Sequence, residues 1–184
     1  MFFNKAEKRA TQQITTLDAL PSQAYIIAEI IKACKYGSYL ELGIYHGTTF
    51  KYIQPFTKRC VGVDIEKKDF INKDSFFRMT TDKFFKQNKE KFDAVFIDAA
   101  HEYEQVRTDF ENSMRCLNDG GTIFLHDTDP FSKEYMQPTF SNDAYKMNQY
   151  LEEKGIYQFV TIPMDECGLT LVRKKKDNRF EKLK

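Results

Sequence analysis

The residues best suited to chemistry in this chain are its three histidines and a set of aspartates, and they recur at one kind of position. His46 stands in a glycine turn just past the apolar run Tyr39–Leu42. His101 follows Asp93-Ala-Val-Phe-Ile-Asp98 by three residues, and His126 closes Thr122-Ile-Phe-Leu-His126. Asp64 ends Cys60-Val-Gly-Val-Asp64, Asp98 ends its own run, and Asp127 and Asp129 follow His126. If these runs are parallel strands, all seven groups lie at the carboxyl edge of one sheet, where open α/β sheets bind ligands. A single loop histidine is more often a plain surface residue. Three on one edge beside four acids mark an active site.

The chemistry available there is proton transfer. His101 can take a proton near neutral pH, with Asp98 orienting it, and His126 is the alternative base. Asp98 and Asp127 could together hold a hard divalent cation such as Mg²⁺, with water or substrate oxygens completing its shell. The plainer readings are that Asp98 caps a strand end and that Asp127 caps a turn before Pro130.

A second constellation precedes these. Tyr39-Leu-Glu-Leu-Gly-Ile-Tyr-His-Gly-Thr-Thr-Phe50 reads as strand, glycine turn and helix start. In that geometry backbone N–H groups and a helix N-terminus face a ligand. Glu41, just before the turn, would repel a pyrophosphate and suit a cationic group. Asp64 comes about 20 residues later, where a ribose-binding acid is expected. An adenosyl ligand with a positive end satisfies both acids, and S-adenosyl-L-methionine is the common one. Thr80-Thr81-Asp82 either contacts the base of such a ligand or caps the helix that starts there.

The elements that must position these groups alternate along the chain. A helix is expected from Pro21 to Lys32. Strands follow at 38–42, 60–65, 75–79, 93–98 and 122–126. Helices are expected at about 47–57, 81–89, 103–117 and 143–154, with a short one after the second strand. The helix over 103–117 places Tyr103, Val106, Phe110, Met114 and Leu117 on one face, and Asn118-Asp-Gly-Gly121 is its stop. Two β-rich runs, 156–162 and 168–173, are joined too briefly for a crossover and so pair antiparallel. Five βα units imply a parallel sheet with helices on both faces.

Bulk composition bounds the function. At 184 residues one domain is expected, and aromatics at 15% argue against disorder. A net charge of +1 argues against an electrostatic nucleic-acid binder. Cys34, Cys60, Cys116 and Cys167 stand singly, without zinc spacing, and suit a reducing interior. No stretch resembles a signal peptide or a membrane span. A cytoplasmic protein is expected, with pairing into a homodimer left open. Residues 175–184 form a basic end, either a solvated tail or a contact for an acidic surface.

Taken together, these motifs resemble the class I S-adenosylmethionine-dependent methyltransferases. The nearest group is the one resembling methyltransferase family 24, whose fourth strand reads Phe-Ile-Asp-Gly-x-His-x-Tyr and whose fifth ends in His-Asp. The resemblance covers about residues 25–173. It implies a Rossmann-like doubly wound α/β fold with seven strands in the order 3-2-1-4-5-7-6, strand 7 antiparallel. It also implies a helical cap or lid at 1–35 and a methyltransferase domain at 36–174. Glu41, Gly43 and Gly47 match the motif that holds the methionine part of the cofactor, and Tyr45 lies within it as an implied cofactor contact. Asp64 and Ile65 match the ribose side, Thr81 and Asp82 the adenine side, and Asp98 the methyl end. His101 and Tyr103 match the His-x-Tyr, and His126 and Asp127 the fifth-strand pair.

The chain departs from the pattern at Tyr45, where the broad motif has glycine, and at Ala99, where the group has glycine. Thr128 stands where metal-dependent relatives carry a third ligand. The implied activity is O-methylation of a small-molecule hydroxyl, with His101 as base and a divalent metal as an option. A non-catalytic S-adenosylmethionine- or nucleotide-binding protein acting through a partner is the alternative. An NAD-dependent oxidoreductase would want a third helix-start glycine and no acid at 41. A nucleic-acid methyltransferase would carry an Asn/Asp-Pro-Pro-aromatic motif after strand four. The sequence has neither.

Overall fold

The computed structural model describes residues 21–164 and 167–175. The expected residues 1–20 of an N-terminal cap and 176–184 of a basic tail lie outside these. Seven strands form one sheet in the order β3-β2-β1-β4-β5-β7-β6. They are β1 (Ser38–Leu42), β2 (Arg59–Asp64), β3 (Phe76–Arg78), β4 (Phe92–Ile97), β5 (Leu117–His126), β6 (Tyr157–Ile162) and β7 (Leu169–Lys174). All pairs from β3 to β5 are parallel, and β7 runs antiparallel to both β5 and β6. This is the expected fold.

Strand alternation divides the core in two. Leu40, Leu42, Val61, Val63, Val95, Ile97, Ile123 and Leu125 point to one face. There they meet α4 (Tyr103–Cys116) through Val106, Phe110 and Met114, and α5 (Lys146–Lys154) through Met147 and Leu151. Tyr39, Cys60, Ala94, Phe96 and Phe124 point to the other. They meet α1 (Ser22–Cys34) through Ala24, Ile27, Ala28 and Ile31, and α2 (Thr48–Ile53) through Phe50 and Ile53. Thus the described part of the expected cap, α1, packs on the sheet. It ends where Lys35 turns left-handed at φ 56 and its N–H reaches back into the last turn.

Three local expectations are corrected. No helix follows β2; Glu66 N instead bonds Asp64 Oδ1 at 2.7 Å, and only one 3₁₀ turn, Lys73–Ser75, forms before β3. Asn118–Gly121 is not a helix cap, because α4 stops at Cys116 and Leu117 is already extended. Those four residues belong to an early, bulged stretch of β5 whose register with β4 shifts between Phe92 and Ala94. Asp93 organises that corner, accepting from Gly37 N, Ser38 N and Ser38 Oγ, and from Asn118 Nδ2 at 2.7 Å. Finally, α5 begins at Lys146 rather than 143, after a run of turns.

Candidate active site

The turn after β1 is built on backbone that few residues adopt. Gly43, Tyr45 and Gly47 have φ of 84°, 44° and 74°. Gly43 also has no room for a side chain, since a Cβ there would lie 2.1 Å from the Asp98 carbonyl oxygen. The exits of β1 and β4 are therefore in backbone contact, reinforced by Asp98 N donating to Leu42 O at 2.9 Å. A Cβ on Gly47 would strike the Phe70 ring, which lies over the turn.

Glu41 shares its strand face with Tyr39, and at 2% exposure it lies inside the fold. The Tyr39 hydroxyl donates to its Oε2 at 2.5 Å, and Phe50 N, in the first turn of α2, also donates to it. Burial pushes its carboxyl well above the ordinary range, with Asp98 and Asp64 adding to the rise. Its structural contacts are thus to its own strand and to the start of a six-residue helix. Asp64 is similarly engaged. Its Oδ2 accepts from Ile44 N at 2.8 Å and Tyr45 N at 3.2 Å, and lies 3.5 Å from the buried Lys68 ammonium. It ties the glycine turn to the end of β2.

A cleft of about 260 Å³ opens between these exits. Gly43, Asp64 and Ile65 line it from the first two strands, Thr81 and Asp82 from the start of α3 (Thr81–Gln87), and Ala99 and Ala100 from beyond β4. Thr80, not Thr81 or Asp82, caps α3, its side chain accepting from Lys83 N at 3.4 Å. This leaves the next two residues turned to the cleft. Gln105 and Asp109, one and two turns into α4, complete the lining. Neither was picked out from the sequence. The signal was there in Asp109, an acid three residues from Val106 and adjacent to Phe110 on the apolar face.

Beside the cleft stands the expected acid and histidine cluster. His101 Nε2 is 3.2 Å from Asp127 Oδ2, and His126 Nδ1 is 3.3 Å from Asp98 Oδ1 and 3.2 Å from Asp127 Oδ1. Asp127 reaches both imidazoles from a left-handed backbone, φ 63. The turn beyond it is fixed by a buried polar set. Thr128 and Thr170 hydroxyls lie 2.7 Å apart, and Asn148 Nδ2 donates to Thr128 O at 2.9 Å. Burial alone would lower the His126 imidazole, but Asp98 and Asp127 more than offset it and hold it well above its ordinary value. The two carboxylates thus favour the protonated form of His126. Asp127 is raised by burial, yet hydrogen bonding and charge from His126, with His101, bring it below the usual carboxylate range.

The remaining expected residues lie elsewhere. His46 is exposed in the glycine turn, its ring 3.8 Å from that of Tyr45. Asp129 is exposed and its N–H donates to Cys167 O at 2.8 Å, tying it to the β6–β7 turn. Tyr103 opens α4, its N–H held by Asp143 Oδ1 at 2.6 Å, and its ring packs toward the core. Among the described residues, Asp98, His101 and Asp127 bring three potential ligand atoms within 4.8 Å of one another. Two carboxylates and an imidazole suit a divalent cation.

Residues 40–128, the span from β1 through β5 that holds both the cleft and the cluster, match a family model described as a methyltransferase domain. That span is similar to a methyltransferase domain. Solved methyltransferases share its fold. An O-methyltransferase from Bacillus cereus in complex with SAH is 14% identical, with a TM-score of 0.69, covering 95% of this chain and 93% of that one. TomG from Streptomyces achromogenes, an O-methyltransferase in complex with SAM, is 13% identical with a TM-score of 0.67, covering 95% and 92%. The SAH-bound methyltransferase PaMTH1 from Podospora anserina is 15% identical with a TM-score of 0.68, covering 94% and 87%. No curated protein matches the chain. Among the described residues, no helix is long and apolar enough to cross a membrane.

Proposed function

We propose that the chain transfers a methyl group from S-adenosyl-L-methionine to a small-molecule hydroxyl, with His101 as general base. The observation that carries this reading is adjacency. The cleft between the β1, β2 and β4 exits meets the Asp98–His101–His126–Asp127 cluster across four residues of backbone. The cleft's donors and acceptors fit the cofactor. Its flat apolar walls, Val63, Ile65, Met79 and Ala99, suit a base, and Asp64 suits the ribose hydroxyls. Thr81 and Asp82 face the adenine side, and the turn of Gly43, Tyr45 and Gly47, supported by Glu41, carries the methionine side.

When bound, the cofactor supplies an electrophilic methyl group on a sulfonium sulfur. The chain must align the acceptor oxygen with it and remove the hydroxyl proton. Asp127 holds His101 through Nε2, so the proton is taken at Nδ1, as in other imidazole bases oriented by a carboxylate. His126, held as a cation by Asp98 and Asp127, balances their charge and keeps Asp127 ionised beside His101. A divalent cation such as Mg²⁺ would be held by Asp98 and Asp127, where it would acidify the acceptor hydroxyl while His101 stays the base.

Calorimetric titration with S-adenosyl-L-methionine, its demethylated product and NAD tests the cofactor. Binding of NAD alone would overturn the reading. Release of S-adenosylhomocysteine with a panel of small hydroxyl compounds then separates an enzyme from a cofactor-binding protein that acts through a partner.

A further inference from the structure

Thr128 follows Asp127 at the exit of β5, and its side chain is buried. A closed circuit of hydrogen bonds begins and ends on it. Its hydroxyl lies 2.7 Å from that of Thr170 on β7, and the Thr170 hydroxyl donates to Asn148 Oδ1 on α5 at 3.0 Å. Asn148 Nδ2 then donates back to Thr128 O at 2.9 Å. Thr161 on β6, the cross-strand partner of Thr170, is a second donor to Asn148 Oδ1 at 3.2 Å. The direction of the circuit is set by its acceptor. An amide oxygen can only accept, so Thr170 gives its one proton to Asn148 and takes that of Thr128.

The circuit matters because of the backbone beside it. Asp127 stands at φ 63, a strained conformation that persists only where the surroundings over-determine it. Before it, His126 is still paired with Leu169 of β7. After it, Thr128 is held by the circuit, and Asp129 N donates to Cys167 O at 2.8 Å. Gly168 closes that side, since a Cβ there would lie 2.5 Å from Asp129 Cβ. Both flanks of Asp127 are thus fixed. From this backbone its carboxylate lies 3.2 Å from His101 Nε2.

Resting on the reading of His101 as base, we propose that Asn148 and Thr170 are positioning residues for it. The circuit they close on Thr128 keeps Asp127 left-handed, and Asp127 aims His101. Neither residue lines the cleft, so both act on the chemistry only through Asp127.

Two substitutions at one site separate positioning from packing. Thr170→Val keeps the volume and removes the hydroxyl, whereas Thr170→Ser keeps the hydroxyl and loses a methyl. Packing alone would make serine the more harmful, and positioning reverses that order. Asn148→Ala opens the circuit from the helix side. Proton NMR at fixed pH on protein with isotope-labelled histidine reads the His101 Nε2–H bonded to a carboxylate as a downfield resonance, assigned by its absence from His101→Ala. The resonance is expected in wild type and Thr170→Ser, and lost in Thr170→Val and Asn148→Ala. Release of S-adenosylhomocysteine should fall by about tenfold or more in the latter two, with cofactor affinity within about twofold, and recover in Thr170→Ser. Absence of the resonance from wild type overturns the proposal, as does its persistence in either folded circuit variant or its loss in Thr170→Ser. Full turnover in a variant that has lost it does the same. Resonances that behave as expected in a protein that binds no S-adenosyl-L-methionine would remove the methyl-transfer reading and leave the hold on Asp127 standing.

Discussion

His101 Nε2 and Asp127 Oδ2 lie 3.2 Å apart although the two residues leave different strands, His101 after β4 and Asp127 after β5. Asp127 makes the contact from a left-handed backbone, φ 63. An imidazole fixed through one nitrogen presents the other in a set direction.

That geometry makes His101 the residue whose loss should separate binding from turnover. His101→Ala is expected to keep cofactor affinity within about twofold while turnover falls by roughly 10²-fold or more, the usual scale for a lost general base. Cofactor titration and single-turnover kinetics check this. Unchanged turnover would remove His101 from the mechanism.

Stability should depend on pH through His126. Its folded-state value is raised, so its contribution is fully present below the ordinary imidazole value of about 6.5 and is lost as pH rises through the folded value. Asp127 is lowered, so its contribution is present above the ordinary carboxylate range and is lost as pH falls through its folded value. Glu41, raised by burial, adds a decline that starts at lower pH. Melting temperature measured from pH 6.5 to 8.5 should therefore fall more steeply in wild type than in His126→Gln. Parallel profiles would mean that folding does not raise the His126 imidazole.

The metal option has a readout apart from activity. Mn²⁺ added to wild type should lose free-ion signal in electron paramagnetic resonance, and Asp127→Asn should weaken that binding by at least about tenfold, since it removes the charge of a carboxylate ligand. Retention of a full free-ion signal by wild type at millimolar protein would exclude the site.

At Gly43 both conformation and space oppose a side chain. Gly43→Ala is expected to cost about 2–4 kcal/mol of stability, combining left-handed strain with overpacking against the Asp98 carbonyl. Urea denaturation measures it. A loss under about 1 kcal/mol, the scale of a tolerated surface change, would show that the two exits can part easily.

The sheet was legible because apolar runs of fixed length alternate with turns, and the brief link before β7 left only antiparallel pairing. The start of β5 was misread because Asn118-Asp-Gly-Gly121 looks like a helix stop. Asp93 holds those residues in a bulged strand from across the sheet, a contact that spacing cannot reveal. At the site, Asp98, His101, His126 and Asp127 were legible as strand-end residues, but their charge states were not. Whether an imidazole is a base or a fixed cation depends on which carboxylates face it, and His126 faces two. Asp109 was hidden for a related reason, because one acid on an apolar helix face gives no hint of what packs above it.

Ala99 and Ala100 touch the cleft, while Asp98 and His101, on either side of them, belong to the charged cluster. One stretch of four residues would therefore serve as wall for the proposed donor and as mount for the proposed base. Whatever settles against the two alanines also steadies the backbone that aims His101. This favours an order of events in which the donor enters first and the acceptor meets a base already in position.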